Sequence, residues 1–196
     1  MKTTIIISTS IIIVTMILIL ISRSTAQTEQ HKYEVIKEFE SFEVRKYESA
    51  IFSSVKINKK DYKSMSSEGF RILAGYIFGN NESNEKIAMT SPVAMEFGDS
   101  SKMMFMVPKA YSLDNLPEPK NNKIVFEKKD EKVMAAIRFG GWADDEKIEK
   151  YKALLIEAVE KEGFSHNNQF LFLGYNPPYD VVNRRNEVVV ELINFQ

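Results

Sequence analysis

Lys86-Ile-Ala-Met-Thr-Ser-Pro92-Val-Ala-Met-Glu-Phe97, then Gly98-Asp99-Ser100-Ser101, then Lys102-Met-Met-Phe-Met-Val-Pro108 is the stretch whose reading decides the fold. Two apolar runs separated by a turn-rich tetrapeptide read as a β-hairpin. Five of the nine methionines fall here: Met89, Met95, Met103, Met104 and Met106. Pro92 has no N–H to give to a ladder, so it predicts an edge position or a bulge inside the run. A soft, apolar, locally irregular hairpin suits the wall of a cleft. The alternative for each methionine taken singly is ordinary core filling.

Moving upstream, Phe42, Val44 and Lys46 alternate with Glu43, Arg45 and Tyr47. Ile51, Ser53, Val55 and Ile57 then share one strand face, with Phe52, Ser54 and Lys56 on the other. Asp61 predicts the N-cap of a helix over about 61–78, burying Met65, Gly69, Ile72, Leu73 and Tyr76. Glycines at 69 and 75 each cost about 1 kcal/mol against alanine in a helix. Their presence predicts that a strand or a ligand comes close. Downstream the pattern starts again. Ile124, Phe126 and Lys128 alternate, and Val133, Ala135, Ile137 and Phe139 share a face. After Gly140-Gly141-Trp142, Asp144 or Asp145 caps a helix over about 145–162. Phe170–Tyr175 and Val188–Ile193 form a second hairpin across Asn176-Pro177-Pro178-Tyr179.

Strand-strand-helix-strand-strand thus occurs twice, about 80 residues apart, too long a period for a solenoid repeat. The fold class expected is α+β: two similar halves forming a distorted antiparallel β-barrel flanked by two α-helices. A cleft between the halves is the natural place for a small ligand.

Composition narrows the function. The chain has 196 residues, 44% apolar and 27% charged, with net charge −1. Without residues 1–26 it keeps 24 basic and 27 acidic groups. That balance has no basic surplus for a nucleic-acid partner. No cysteine is present, which excludes disulfides, a thiolate nucleophile, Cys-ligated zinc and covalent haem attachment through Cys-x-x-Cys-His. With two histidines, His31 and His166, a His-rich metal site is excluded as well.

Residues 5–21 carry no charge and follow Lys2. As a helix this run would extend about 25 Å, near the lower limit for a bilayer span. Ser24-Thr25-Ala26 offers small residues suited to signal-peptide cleavage. Residues 1–26 are read as a cleaved signal peptide or a retained membrane anchor, which exports the rest. Residues 27–32 follow as a polar linker, and 33–196 as the folded domain.

The chain resembles the SOUL haem-binding family over essentially all of residues 33–196. The carriers are Tyr33-Glu-Val-Ile36 with Phe42-Glu-Val-Arg-Lys-Tyr47, then Ile87-Ala-Met-Thr-Ser-Pro-Val93. Phe139-Gly-Gly-Trp-Ala143, Gly174-Tyr-Asn-Pro-Pro-Tyr179 and Arg184-Arg-Asn-Glu-Val188 complete the set. The resemblance implies the two-half barrel, similar to the effector-binding domains of bacterial multidrug regulators. It also implies non-covalent binding of haem or a related tetrapyrrole as cofactor or cargo, with no reaction.

Haem asks for an apolar slot and for cations or hydroxyls near its propionates. Met65, Phe70, Met89 and Met95 are the slot candidates. Arg71, Tyr175, Arg184 and Arg185 are the polar ones, the two last otherwise read as a solvated pair or as partners of a local carboxylate. Glu187 and Glu191 alternate with valines and read as an outer face. If Glu187 points inward it needs a partner such as Arg184 or Arg185. His166 reads as a loop residue, His31 as an idle one, and no axial ligand is assigned. Thr90-Ser91 before Pro92 reads as turn chemistry, not as a nucleophile. The functional expectation is an exported tetrapyrrole binder. Its alternatives are a hydrolase or tetrapyrrole-modifying enzyme using the same cleft, and a protein-interaction module with a vestigial pocket.

Overall fold

A computed structural model describes residues 28–98, 101–193 and 195. The expectations placed on residues 1–26 therefore lie outside the described residues. Among the described residues no helix is long and apolar enough to cross a membrane.

Among the described residues eleven strands and two helices follow one another: β1 (Glu29–Gln30), β2 (Tyr33–Glu38), β3 (Glu43–Tyr47), β4 (Ala50–Lys56), α1 (Tyr62–Ile77), β5 (Thr90–Ser91), β6 (Val93–Glu96) and β7 (Lys102–Met106). The second half adds β8 (Ile124–Lys129), β9 (Lys132–Phe139), α2 (Asp145–Lys161), β10 (Ser165–Gly174) and β11 (Asn186–Ile193). Nine of these strands form one continuous antiparallel sheet, in the order β2-β3-β9-β11-β10-β6-β7-β4-β8. It curls into a half-barrel.

That order is a palindrome in the repeat. Matching β3 with β8, β4 with β9, β6 with β10 and β7 with β11 maps the series from β3 to β8 onto itself reversed. The pseudo-twofold axis falls between β6 and β10, whose register pairs Met95 with Phe172. Each half also lends its first strand to the other: β3 pairs with β9, and β8 with β4. A half could not close its own sheet, so the two fold as one unit.

The decisive hairpin forms as read, with Val93 opposite Phe105 and Met95 opposite Met103. Pro92 sits where the chain changes partners. Thr90 and Ser91 pair in parallel with Glu29 and Gln30, and the chain then enters the main sheet at Val93. The Ser91–Pro92 peptide is cis. Residues 29–31, expected as a polar linker, are thus held to the domain. The His31 N–H donates to the Ser91 carbonyl at 2.9 Å.

Both faces of the sheet are covered, as the run Val188-Val189-Val190, all fully buried, requires. Even positions of β11 face the helices with Val44, Ala135, Ile137 and Phe172. Odd positions face the inside of the curl with Tyr47, Phe52, Met104, Met134 and Leu173. The methionine hairpin is therefore not one wall. Met95 and Met103 serve the helix side, and Met104 and Met106 the inner side.

The helices start where the carboxylates predict. Asp61 accepts from the Ser64 N–H at 2.8 Å and Asp144 from that of Lys147 at 2.8 Å. Asp145, the first residue of α2, also accepts from the Tyr62 N–H of α1 at 2.7 Å, tying the two helix starts together. The close approach predicted by the glycines is made by a strand, and only at one of them. A Cβ on Gly69 would lie 2.9 Å from the Cβ of Met103. A Cβ on Gly75 would meet nothing within 4 Å. Gly75→Ala should accordingly stabilise the fold by about 0.5–1 kcal/mol, read as a higher urea midpoint with an unchanged m value.

Candidate functional site

Inside the curl, β11 presents Glu187, Val189 and Glu191 in a row, and the character of the surface changes along it. At the first end the Glu187 carboxylate is fully buried and takes four hydrogen bonds. Arg45 gives two (2.7 and 3.2 Å), Arg185 Nε one (2.9 Å) and the Tyr175 hydroxyl one (2.9 Å). Arg45 also donates to Glu43 (2.7 Å) and to the Tyr47 hydroxyl (3.1 Å). Arg185 donates to the Tyr33 hydroxyl at 2.7 Å. The guanidinium carbons of Arg45 and Arg185 lie 4.3 and 3.8 Å from the ring centres of Tyr33 and Tyr175. The outer-face reading of Glu187 is thus corrected. A carboxylate on a doubly buried strand can only face inward, and here two arginines neutralise it.

Burial alone would raise the Glu187 carboxyl. Hydrogen bonds and charge from Arg45, with Arg185 behind them, outweigh this and hold it below the usual carboxylate range. Burial pushes the Tyr47 phenol up to about 12, against the opposing charge of Arg45. An ionised carboxylate with every lone-pair direction occupied is a structural anchor. A general acid or base would need the opposite: a raised pKa and a free oxygen.

At the other end of the row, Glu191 pairs with Lys132 and accepts from Asn167 Nδ2 at 2.9 Å. Between the two clusters lies a cavity of about 100 Å³. Its floor is apolar, built from Phe52, Met104, Met134, Leu171, Leu173 and Val189. Charged and amide groups ring its mouth: Glu96, Lys129, Asp130, Lys132, Asn167, Gln169 and Glu191. Tyr47 of β3 and Lys129 of β8, near opposite ends of the sheet order, both line it. Only a curled sheet brings these together, so the cavity is the mouth of the half-barrel.

His31 lines this mouth too. Its Nε2 lies 2.8 Å from the Glu48 carbonyl, which can only accept, so the proton is on Nε2. Its ring packs 5.1 Å from Tyr47 and 5.4 Å from Phe52, centre to centre. Burial pulls its pKa down, leaving the imidazole neutral at pH 7. The idle-linker reading of His31 is corrected: parallel pairing of β1 with β5 draws it in. His166, read as a loop residue, belongs to β10. Its side chain is buried against Phe170 and lies 4.0 Å from Glu160.

The eight residues singled out from the sequence fall in four places. Met65, Met95 and half-buried Met89 belong to the helix-side core, where they pack against protein. Phe70 and Arg71 are exposed on α1, Phe70 resting an edge on Phe105 at 5.4 Å. Tyr175 and Arg185 belong to the Glu187 cluster. Arg184 is no solvated partner of Arg185. It holds the preceding loop through the carbonyls of Asn176, Pro177 and Asp180, and its guanidinium lies 4.2 Å from the Trp142 ring. Thr90 and Ser91, read as turn residues, form β5 instead, and their hydroxyls donate over long sequence separations to the carbonyls of Met106 and Tyr175. The inner cavity was the part missed. Its signal was present in the even positions of β9 and the odd positions of β11 taken with Phe52 and Leu171.

This curled, duplicated α+β sheet recurs in solved structures at low identity. The EcmrR C-terminal domain aligns with a TM-score of 0.62 at 11% identity, covering 83% of this chain and 99% of that one. A Listeria innocua protein described as a hydrolase aligns with a TM-score of 0.55 at 6% identity, covering 88% and 96%. These establish the fold alone. The family model described as SOUL heme-binding protein matches residues 28–191, and the chain belongs to that family. Heme-binding protein 1 of Xenopus laevis is 30% identical over 156 residues, 76% of this chain and 82% of the relative. Heme-binding protein 2 of Homo sapiens is 28% identical over 157 residues, 76% of each.

Proposed function

We propose that the protein binds haem or a related tetrapyrrole non-covalently, outside the cytoplasm, as a buffer or carrier. The observation that carries this reading is the apolar cavity at the mouth of the half-barrel, in a chain of this family. On the α1 side, Gly69 lets the helix down onto Met103. The residues at the mouth fit the organic part of such a ligand. About 100 Å³ of cavity compares with the roughly 150 Å³ that admits a benzene ring elsewhere. It has room for one pyrrole-sized edge, with the remainder over the charged rim. His31, neutral and oriented by Glu48, is the imidazole on hand at the mouth. Haem, when bound, would supply its iron and its long-wavelength absorption; the chain supplies the floor and the charged rim. The absence of cysteine agrees with non-covalent attachment. Export is supported by the uncharged run at 5–21, which also gives a membrane partner if it is retained.

Titrating the full 196-residue chain with haemin should give a saturable Soret change at one equivalent. Leu171→Trp, which fills the mouth from a half-buried position, should weaken binding roughly tenfold or more. Replacing Phe70 and Arg71 together by alanine should leave it unchanged. Weak, non-stoichiometric binding, or Leu171→Trp binding like the parent, overturns the reading. The enzyme alternative loses its best base, since Glu187 is saturated by its four donors.

A further inference from the structure

Cations near this cavity are nearly all engaged. Lys132 pairs with Glu191, Lys102 with Glu127 at 3.0 Å, and Lys109 with Glu48 at 2.7 Å. Arg45 and Arg185 are consumed by Glu187. Lys129 differs. Its half-buried ammonium lies 5.7 Å from the centre of the Phe52 ring, and among the described residues no carboxylate comes within 4 Å of it. Burial lowers its pKa, with Lys102 adding to the effect and Glu127 and Glu96 opposing it from farther off. A half-desolvated ammonium without a counter-ion is costly to hold and gains most from an anion arriving beside it.

Phe52, which carries Lys129 on one side and His31 on another, is itself part of the cavity floor. The positive charge therefore stands directly over apolar surface. The group that satisfies both at once has an anionic head joined to an apolar body. The other end of the mouth is already neutralised by the Lys132–Glu191–Asn167 cluster, so the cavity has a direction.

We propose that the inner cavity is an amphipathic-carboxylate site in which Lys129 pairs with the ligand carboxylate while Phe52, Met104, Met134 and Leu171 hold its apolar part. This rests on the same cavity as the proposed function and names the group that orients the ligand there. The carboxylate has two possible sources, a tetrapyrrole propionate or a fatty acid.

The test uses the full chain, its Lys129→Met and Lys129→Arg variants, and three probes: haemin, haemin dimethyl ester and dodecanoate. Lys129→Met keeps the length and apolar contact of the side chain and removes the charge. It should weaken haemin and dodecanoate roughly tenfold or more, the size of one charge-assisted hydrogen bond. It should leave the dimethyl ester unchanged, and Lys129→Arg should retain most of the affinity. Dodecanoate binding that depends on Lys129, with no stoichiometric haemin binding, supports the site and assigns a fatty acid, while overturning the tetrapyrrole reading. Stoichiometric haemin binding that Lys129→Met leaves unchanged overturns the site and spares that reading. An equal loss for haemin and its dimethyl ester also overturns it.

Discussion

Glu187→Ala should remove about 3–5 kcal/mol of stability, the cost of breaking a buried ion pair by deleting one partner. Total stability for a domain of this kind is about 5–15 kcal/mol, so the variant would be at the edge of folding at 37 °C. The size of the effect follows from what remains behind. Arg45 is 2% exposed and would lose both hydrogen bonds to the carboxylate, keeping only Glu43 and the Tyr47 hydroxyl. Arg185 and the Tyr175 hydroxyl would lose a partner in the same step. Glu191→Ala on the same strand is the control. Its pair with Lys132 is partly exposed, so its loss should cost less than about 1 kcal/mol. Urea unfolding followed by far-ultraviolet circular dichroism measures both, and equal losses would refute the argument.

The same cluster sets an acid limb. The folded-state pKa of Glu187 lies below its unfolded value, so its contribution is fully present above the ordinary carboxylate range. It is lost as the pH falls through that range and then through the lower folded-state value. Stability of the parent should therefore drop across that acid window. In Glu187→Gln, already destabilised at neutral pH, the drop should be shallower.

Gly69→Leu should destabilise by about 3 kcal/mol or more, at the upper end of what overpacking costs. The first atom of the new side chain would stand 2.9 Å from both the Cβ and the Sδ of Met103, a side chain with no solvent exposure. The Sδ can swing away, but the Cβ is fixed to the backbone of β7. Relief requires α1 to lift from the sheet, and Met65, Leu73 and Tyr76 would lift with it. A urea midpoint at or above that of the parent would show that the contact is looser than it stands here. Gly75→Ala, one and a half turns further on, should move the midpoint the other way.

Local pattern and tertiary placement contributed differently at each site residue. Asp61 and Asp144 were legible as caps because capping is satisfied within three residues of the chain. The alternation of Phe42 to Tyr47 and of Val133 to Phe139 was legible because a strand face repeats every second residue. Glu187 was not. Alternation says that it shares a face with Val189 and Glu191, but both faces of this sheet are buried, so the pattern carries no sign. Its partner Arg45 is 142 residues away and is brought there only by β3 crossing into the second half. The methionines misled for a related reason: adjacent residues in a strand go to opposite sides, so a methionine-rich run supplies two cores, not one slot.

The amino-acid sequence by itself determined the duplicated halves, both helices with their caps, the methionine hairpin and the resemblance to the haem-binding family. Each is written in short-range periodicity or in local motifs. Only the tertiary structure decided that the halves exchange their first strands, that nine strands join in one continuous sheet, and that the opening lies within the curl. These depend on which strands pair across long separations in the chain, and pairing energy between strands does not show in the pattern of either strand alone.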